Sequence, residues 1–374
     1  MNHFKNISSI AYGDIFLKNA ILLQNYRNYS CELAYNISMK KFLTITFISL
    51  GAILLLIIFV SVINNQVEEP IPPTSEALET PETVEEEKTY EEIIAEREEQ
   101  KTAFYASKGE GGPWENSLSL AWSSDKETFQ ESITSPTTLI EHGGVPSIIV
   151  KDDGTVIAAY QYFPANEEEF DKIAVSFGAY EGSEWTPSEL IEIENYPEDL
   201  SRPFDPTLTL TKNGNIRLYF TANTKTKKLT DQVAIYSALS EDGIHYTFEP
   251  GARYRSSSGD MTIDAAAVLY NGIWHLYTPA MPNKGVNHVI STDGLNFEEQ
   301  EQILTDDGRN WTGNVLVVDG KMRFYGASSK GIWFAESEDG FTWSEPIYTN
   351  IDGGDPAIGH LSNSDRLIML RVVF

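Results

Sequence analysis

From about residue 101 onward the chain is a succession of short apolar runs broken by Gly, Asp, Asn and Pro, with little helical periodicity. That spacing predicts β-strands joined by tight turns. One pattern recurs five times: a turn, a short apolar strand, a hairpin, and a second strand ending in aromatic or apolar residues. The copies are "VPSIIVKDDGTVIAAYQYF" from Val145, "FDPTLTLTKNGNIRLYFTA" from Phe204, "IDAAAVLYNGIWHLYTPA" from Ile263, "GNVLVVDGKMRFYGAS" from Gly313 and "GDPAIGHLSNSDRLIMLRVVF" from Gly354. Their hairpins carry Gly154, Gly214, Gly272 and Gly320, with Ser364-Asp365 in the fifth. Glycine suits turn positions that need positive φ.

A second motif alternates with the first. It reads "SSDKETF" from Ser123, "SEDGIHY" from Ser240, "STDGLNF" from Ser291 and "SEDGFTW" from Ser337. After the first hairpin it is degenerate, as "VSFGAYEGSEW" from Val175. Each unit is then an inner strand pair followed by an outer pair with its own turn. Four strands at a period falling from about 60 to about 42 residues predict propeller blades. The last unit stops after two strands, and the missing outer pair is found at "LSLAWSSDKETFQES" from Leu118. The expected fold is all-β: a five-bladed β-propeller over residues 101–374, its last blade closed by N-terminal strands, which leaves no free sheet edge at the seam. Ser337 and Asp339 are expected to hold their turn by local hydrogen bonds, and Trp343 to pack between blades.

Upstream the pattern changes. Phe42 to Ile63 is an uncharged apolar run of 22 residues, long enough for a transmembrane helix. Lys40 and Lys41 precede it and acidic residues follow, so the N-terminus is expected in the cytoplasm and the propeller on the extracytoplasmic side. Residues 1–41 then form a cytoplasmic tail. Met39-Lys40-Lys41 also has the look of a natural start, which makes residues 1–38 either a tail or a misassigned beginning. Residues 64–100 read as an acidic linker, with 13 Glu against Lys88 and Arg97 and with Pro70, Pro72, Pro73 and Pro81. Thr89 with Glu92 makes a capping box, which predicts a helix leading into the domain.

Formal charge narrows the function. The chain carries 27 Lys+Arg against 55 Asp+Glu, a net −28, which argues against non-specific nucleic-acid binding. Cys31 is the single cysteine, so neither a disulfide nor a thiolate zinc site is available to the domain.

The alternation of "DP-x-apolar…DG…LYFT" with "S-x-DG-x-x-W/F" resembles the five-bladed β-propeller glycosidases of the arabinanase/β-xylosidase/fructosidase type, and also proteins labelled sialidase-like for their Asp boxes. The resemblance covers about residues 115–374. It implies carboxylates around a central cavity, where an acid and a base are the minimum for glycoside cleavage. Asp205, Asp264 and Asp355 open the inner strands of blades two, three and five and are the candidate catalytic residues. Blade one opens instead with Gly144-Val145-Pro146, and blade four with Thr312-Gly313-Asn314. The resembling families carry a pore calcium in some members, but no ligand set in this sequence specifies one, and no cofactor is expected.

The face carrying the inner-strand starts would also hold His142, Arg202, Arg255, Arg309, Asn310 and Trp311, the candidate substrate-binding residues. Nine of the domain's 20 basic residues are expected on that face, although the domain is acidic as a whole. Arginine suits carboxylate recognition, so an acidic sugar is a candidate ligand. Plainer roles stand beside each of these. An Asp before Pro caps turns, the arginines can pair with neighbouring acids, and Trp311 can pack within its blade. His275, inside a strand, is expected in the core. The leading expectation is a membrane-anchored, glycoside-hydrolase-like propeller; the alternative is a non-catalytic glycan-binding or surface-interaction propeller.

Overall fold

The computed structural model describes residues 89–131, 137–180, 183–225, 233–258, 261–280, 285–305 and 309–374. The expected cytoplasmic tail, the apolar run 42–63 and the linker up to residue 88 lie outside them. Among the described residues no helix is long and apolar enough to cross a membrane.

The strands form five antiparallel sheets, the five blades. Blade one contains Gly143–Val150, Val156–Tyr162, Lys172–Gly178 and Glu189–Leu190. Blade two contains Phe204–Leu210, Ile216–Ala222, Ala234–Ser240 and His245–Tyr254, with Glu192–Glu194 added in parallel at the outer edge. Blade three contains Ala266–Tyr270, Ile273–Pro279, Val286–Ser291 and Glu298–Glu299. Blade four contains Arg309–Val318, Lys321–Ser328, Gly331–Ser337 and Ile347–Tyr348. In blade five, Gly354–Leu361 and Arg366–Val373 are joined by Ser117–Ser123 and Gln130–Glu131. Ser117 faces Val373 and Ser123 faces Leu367 across that antiparallel pair.

The core lies between blades, where large side chains of the second strands are fully buried, among them Tyr160, Tyr219, Tyr277, Tyr325 and Phe324. The S-x-D-G turns are where one blade grips the next. In the blade-four turn the Ser337 hydroxyl bonds Asp339 and accepts from the Gly340 N–H, while Asp339 Oδ1 accepts from the N–H groups of Phe341 and Thr342. The closed turn presents its glycine carbonyl to the preceding blade. Tyr277 of blade three donates to Gly340 O at 3.0 Å, and Tyr219 of blade two donates to Gly294 O at 2.9 Å. Arginines do the same work: Arg217 reaches Asp293 O, and Arg323 reaches Lys126 O. Trp343 stacks edge-on against Tyr277, 5.6 Å between centroids, and so packs between blades three and four.

The inner strands diverge around the axis and cannot ladder with one another, so side chains bridge them instead. Ser147 Oγ accepts from Leu208 N, Thr207 donates to Ala265 O, and Asn314 both donates to and accepts from the backbone of Ile358.

Among the described residues an α-helix, α1 (Tyr90–Lys108), started by the Thr89–Glu92 capping box, precedes the propeller. The expected end of the linker at Gln100 falls inside this helix. Its second half is seated on blade one. Lys101 pairs with Glu141 at 3.0 Å, Tyr105 donates to Phe163 O, and Lys108 lies over the rings of Phe104 and Phe170.

Candidate functional site

The five inner strands begin with the same backbone kink. Val145, Asp205, Asp264, Gly313 and Asp355 occupy equivalent positions, and all have positive φ: 43°, 51°, 49°, 147° and 40°. In blades one, two, four and five the kink coincides with an irregularity in the pairing to the second strand. The bulge turns each kinked residue away from its ladder, and the five residues line one hollow. Aspartate tolerates this left-handed region better than most residues. Valine does not, because its branched Cβ crowds the carbonyl. In blade four a Cβ at residue 313 would lie 2.3 Å from Tyr325 O, so only glycine fits there. That contact is the physical reason blade four contributes no carboxylate.

The structure thus brings Asp205, Asp264 and Asp355 together around a hollow of about 10 Å³. That is roughly the volume one water molecule needs. Burial raises all three acids. Asp205 is pushed up to about 6, first by desolvation and then by the charge of Asp355, with the hydroxyl of Thr221 pulling the other way. Asp264 is raised well above the usual carboxylate range, by desolvation and then by the charges of Asp205 and Asp355. Its carboxyl also hydrogen-bonds to Asp205, an interaction that holds the proton on Asp264 and the charge on Asp205. Asp355 is raised by desolvation, against a bond from Thr312 Oγ1 to its Oδ1 at 2.6 Å. The only signal for Thr312 in the sequence is its place immediately before the kink of blade four. As a cation site the donor set fits poorly, since burial raises Asp264 well above the usual carboxylate range and Asp355 accepts from Thr312. Among the described residues no group of three or more His, Cys, Asp or Glu side chains is arranged to hold a metal.

The candidate substrate-binding residues do not converge in the same way. Trp311 is not a stacking surface: it is 3 % exposed and packs on Phe324, Trp333 and Trp343. His142 is already engaged, with its ring stacked on Tyr105 at 4.0 Å and its Nδ1 2.7 Å from Trp114 O. Arg202 pairs with Asp171, although it lies close enough to Asp205 to feel its charge. Asn310 turns its Oδ1 to the N–H of Thr312, at 3.0 Å, and so shapes the approach to the blade-four kink. Arg309 lies over the Trp333 ring at 5.7 Å. Arg255 is exposed just beyond the last strand of blade two. His275 is buried, as expected for a core residue, and bonds His288 at 3.0 Å.

No family model matches the chain, and no curated protein matches it. Solved structures do, and those it is similar to include five-bladed β-propeller glycosidases. A β-xylosidase is 14% identical over 62% of this chain and 92% of its own, with a TM-score of 0.44. A GH43_1 enzyme from Xanthomonas citri is 16% identical over 65% of this chain and 92% of its own, TM-score 0.44. The GH32 beta-fructofuranosidase of Bombyx mori is 14% identical over 71% of this chain and 59% of its own, TM-score 0.44.

Proposed function

We propose that this propeller acts on a carbohydrate and cleaves a glycosidic bond by carboxylate acid–base chemistry at the kinked ring. The observation that carries the reading is the convergence of three buried carboxyl groups, all raised by that burial, around a hollow the size of a water. A proton donor and an ionised base in one site are what glycoside hydrolysis requires.

The roles follow from contact. Carboxyls that flank a glycosidic bond stand at least about 5 Å apart. Asp205 and Asp264 hydrogen-bond directly and are too close to serve as that pair. Asp264, raised well above the usual carboxylate range, is the general acid, and Asp205 is the neighbour whose charge helps to raise it. Asp355, oriented by Thr312, is the base that takes a proton from the attacking water. Arg255 and Arg202 give the rim a preference for a sugar bearing a carboxylate. Residues 42–63 anchor the chain, with the propeller outside the cytoplasm.

A second reading, a non-catalytic glycan-binding propeller, is favoured by one feature: two of the five ring positions, Val145 and Gly313, carry no acid. Reducing-sugar release by the full chain from a panel of neutral and uronic glycans separates the two. Turnover is expected, falling at least about 100-fold in Asp264→Asn and in Asp355→Asn. Saturable binding without sugar release supports the second reading. Release that persists at full rate in both variants overturns the role assignment.

A further inference from the structure

The acid ring occupies only the front of the central channel. Behind it, along the same five inner strands, lies a larger cavity of about 310 Å³. Its lining residues come from every blade and all belong to the described residues. They are the C-terminal halves of the inner strands, so the cavity lies toward the hairpin turns, away from the kinks. The walls are mostly aliphatic, with Val150, Leu210, Leu269 and Val317 among them. Two of the lining residues add polar atoms to these walls. Thr209 is 7 % exposed and brings a hydroxyl to the lining. His360 places Nε2 3.1 Å from Asp365 Oδ1, which leaves Nδ1 unengaged. Asp365 is itself fixed by Lys126 at 2.7 Å, and Lys126 also pairs with Asp319 at 2.6 Å. The imidazole is therefore held by a relay spanning blades four and five rather than left to rotate. With Nε2–H donating to the carboxylate, Nδ1 is a hydrogen-bond acceptor.

A cavity of this size with apolar walls and a few fixed polar atoms has the composition of a small-molecule site. We infer that the rear of the channel is a ligand site separate from the acid ring, and that it takes a neutral six-membered ring bearing hydroxyl groups. The aliphatic walls cover the ring's apolar faces. A ligand hydroxyl donates to His360 Nδ1, and another exchanges a hydrogen bond with Thr209. Charged ligands are disfavoured, because the charges of Asp365, Lys126 and Asp319 are already spent on one another.

A cyclohexanediol is the simplest probe of this chemistry. Its binding to the full chain is followed by ligand-observed NMR, with thermal melts to confirm that each variant is folded. Saturable binding with a Kd in the millimolar range is expected. Val317→Trp, which fills the cavity, weakens it at least tenfold. Thr209→Val, which keeps the shape and removes the hydroxyl, weakens it about threefold, and His360→Phe does likewise. Asp264→Asn leaves it unchanged. Absence of saturable binding overturns the inference. So does binding unchanged in both Val317→Trp and Thr209→Val, and so does binding lost in Asp264→Asn, which would move the probe to the acid ring. The last variant also keeps this outcome distinguishable from any failure of the hydrolytic reading.

Discussion

At the scale of single residues, the kinked ring is where local strain and chemistry meet. A branched side chain at φ 43° is unfavourable, and strain of this kind costs on the order of 1–3 kcal/mol. Val145→Gly is therefore expected to raise the unfolding free energy by about 1 kcal/mol, after glycine's own entropic cost, as measured by urea titration. A fall in stability would mean that the Val145 side chain contributes more by packing than its backbone loses. The candidate acids are legible in the sequence because each opens a repeat at the same offset. Their mutual contact is not, because it depends on the kinked starts of five inner strands converging on one axis. Trp311 is misread for a related reason. Its pairing with the second strand is irregular between Asn310 and Gly313, and strand alternation cannot be counted across a bulge. The stacking of His142 is not legible either, because its partner, Tyr105, arrives from α1 far upstream.

At the scale of elements, the S-x-D-G turns are clamps, and the glycines within them are not equivalent to those of the hairpins. Gly340 has φ 81°, and a Cβ there would lie 2.5 Å from His275 Nδ1 in the adjoining blade. Gly214 has φ 80°, with nothing within 4 Å of the same position. The two share a backbone cost and differ only in the clash. Gly214→Ala is expected to destabilise by about 1 kcal/mol, and Gly340→Ala by about 3 kcal/mol or more, in parallel thermal melts. Equal losses would show that the turn yields and that its fit to the preceding blade is loose. The turn motif, its hydrogen bonds and the blade count are readable directly, because a repeated local motif is written in consecutive residues. The grip of each turn on the preceding blade is not, since Tyr219, Tyr277, Arg217 and Arg323 lie in strands of the other motif. Their partners are backbone carbonyls, which carry no residue identity.

At the scale of the whole molecule, two buried groups of ionisable residues pull the pH dependence of stability in opposite directions. His275 and His288 are held neutral by burial and pushed down to about 4 and about 3. Unfolding returns them to about 6.5, so between that pH and about 4 the unfolded chain binds more protons than the folded one. Stability is then lost as pH falls through this window. The acid ring does the reverse. Asp205 is raised to about 6 in the folded protein against 3.8 unfolded, so the folded chain binds the extra proton between those values. Its contribution is most favourable below pH 3.8 and is lost as pH rises through about 6. The windows overlap from about pH 4 to 6, where the two slopes offset each other and the wild-type profile is flattened. Removing one side exposes the other. Asp205→Asn is expected to gain about 1–3 kcal/mol at pH 7, a gain that shrinks toward pH 4, so that its acid limb is steeper than the wild type's. His288→Phe, judged against its own stability at pH 7, should lose less than the wild type on going to pH 4. Urea unfolding at pH 4, 5, 6 and 7 measures both slopes. A gain in Asp205→Asn that is the same at every pH would show that the carboxylate keeps its ordinary pKa, and that burial does not desolvate the ring.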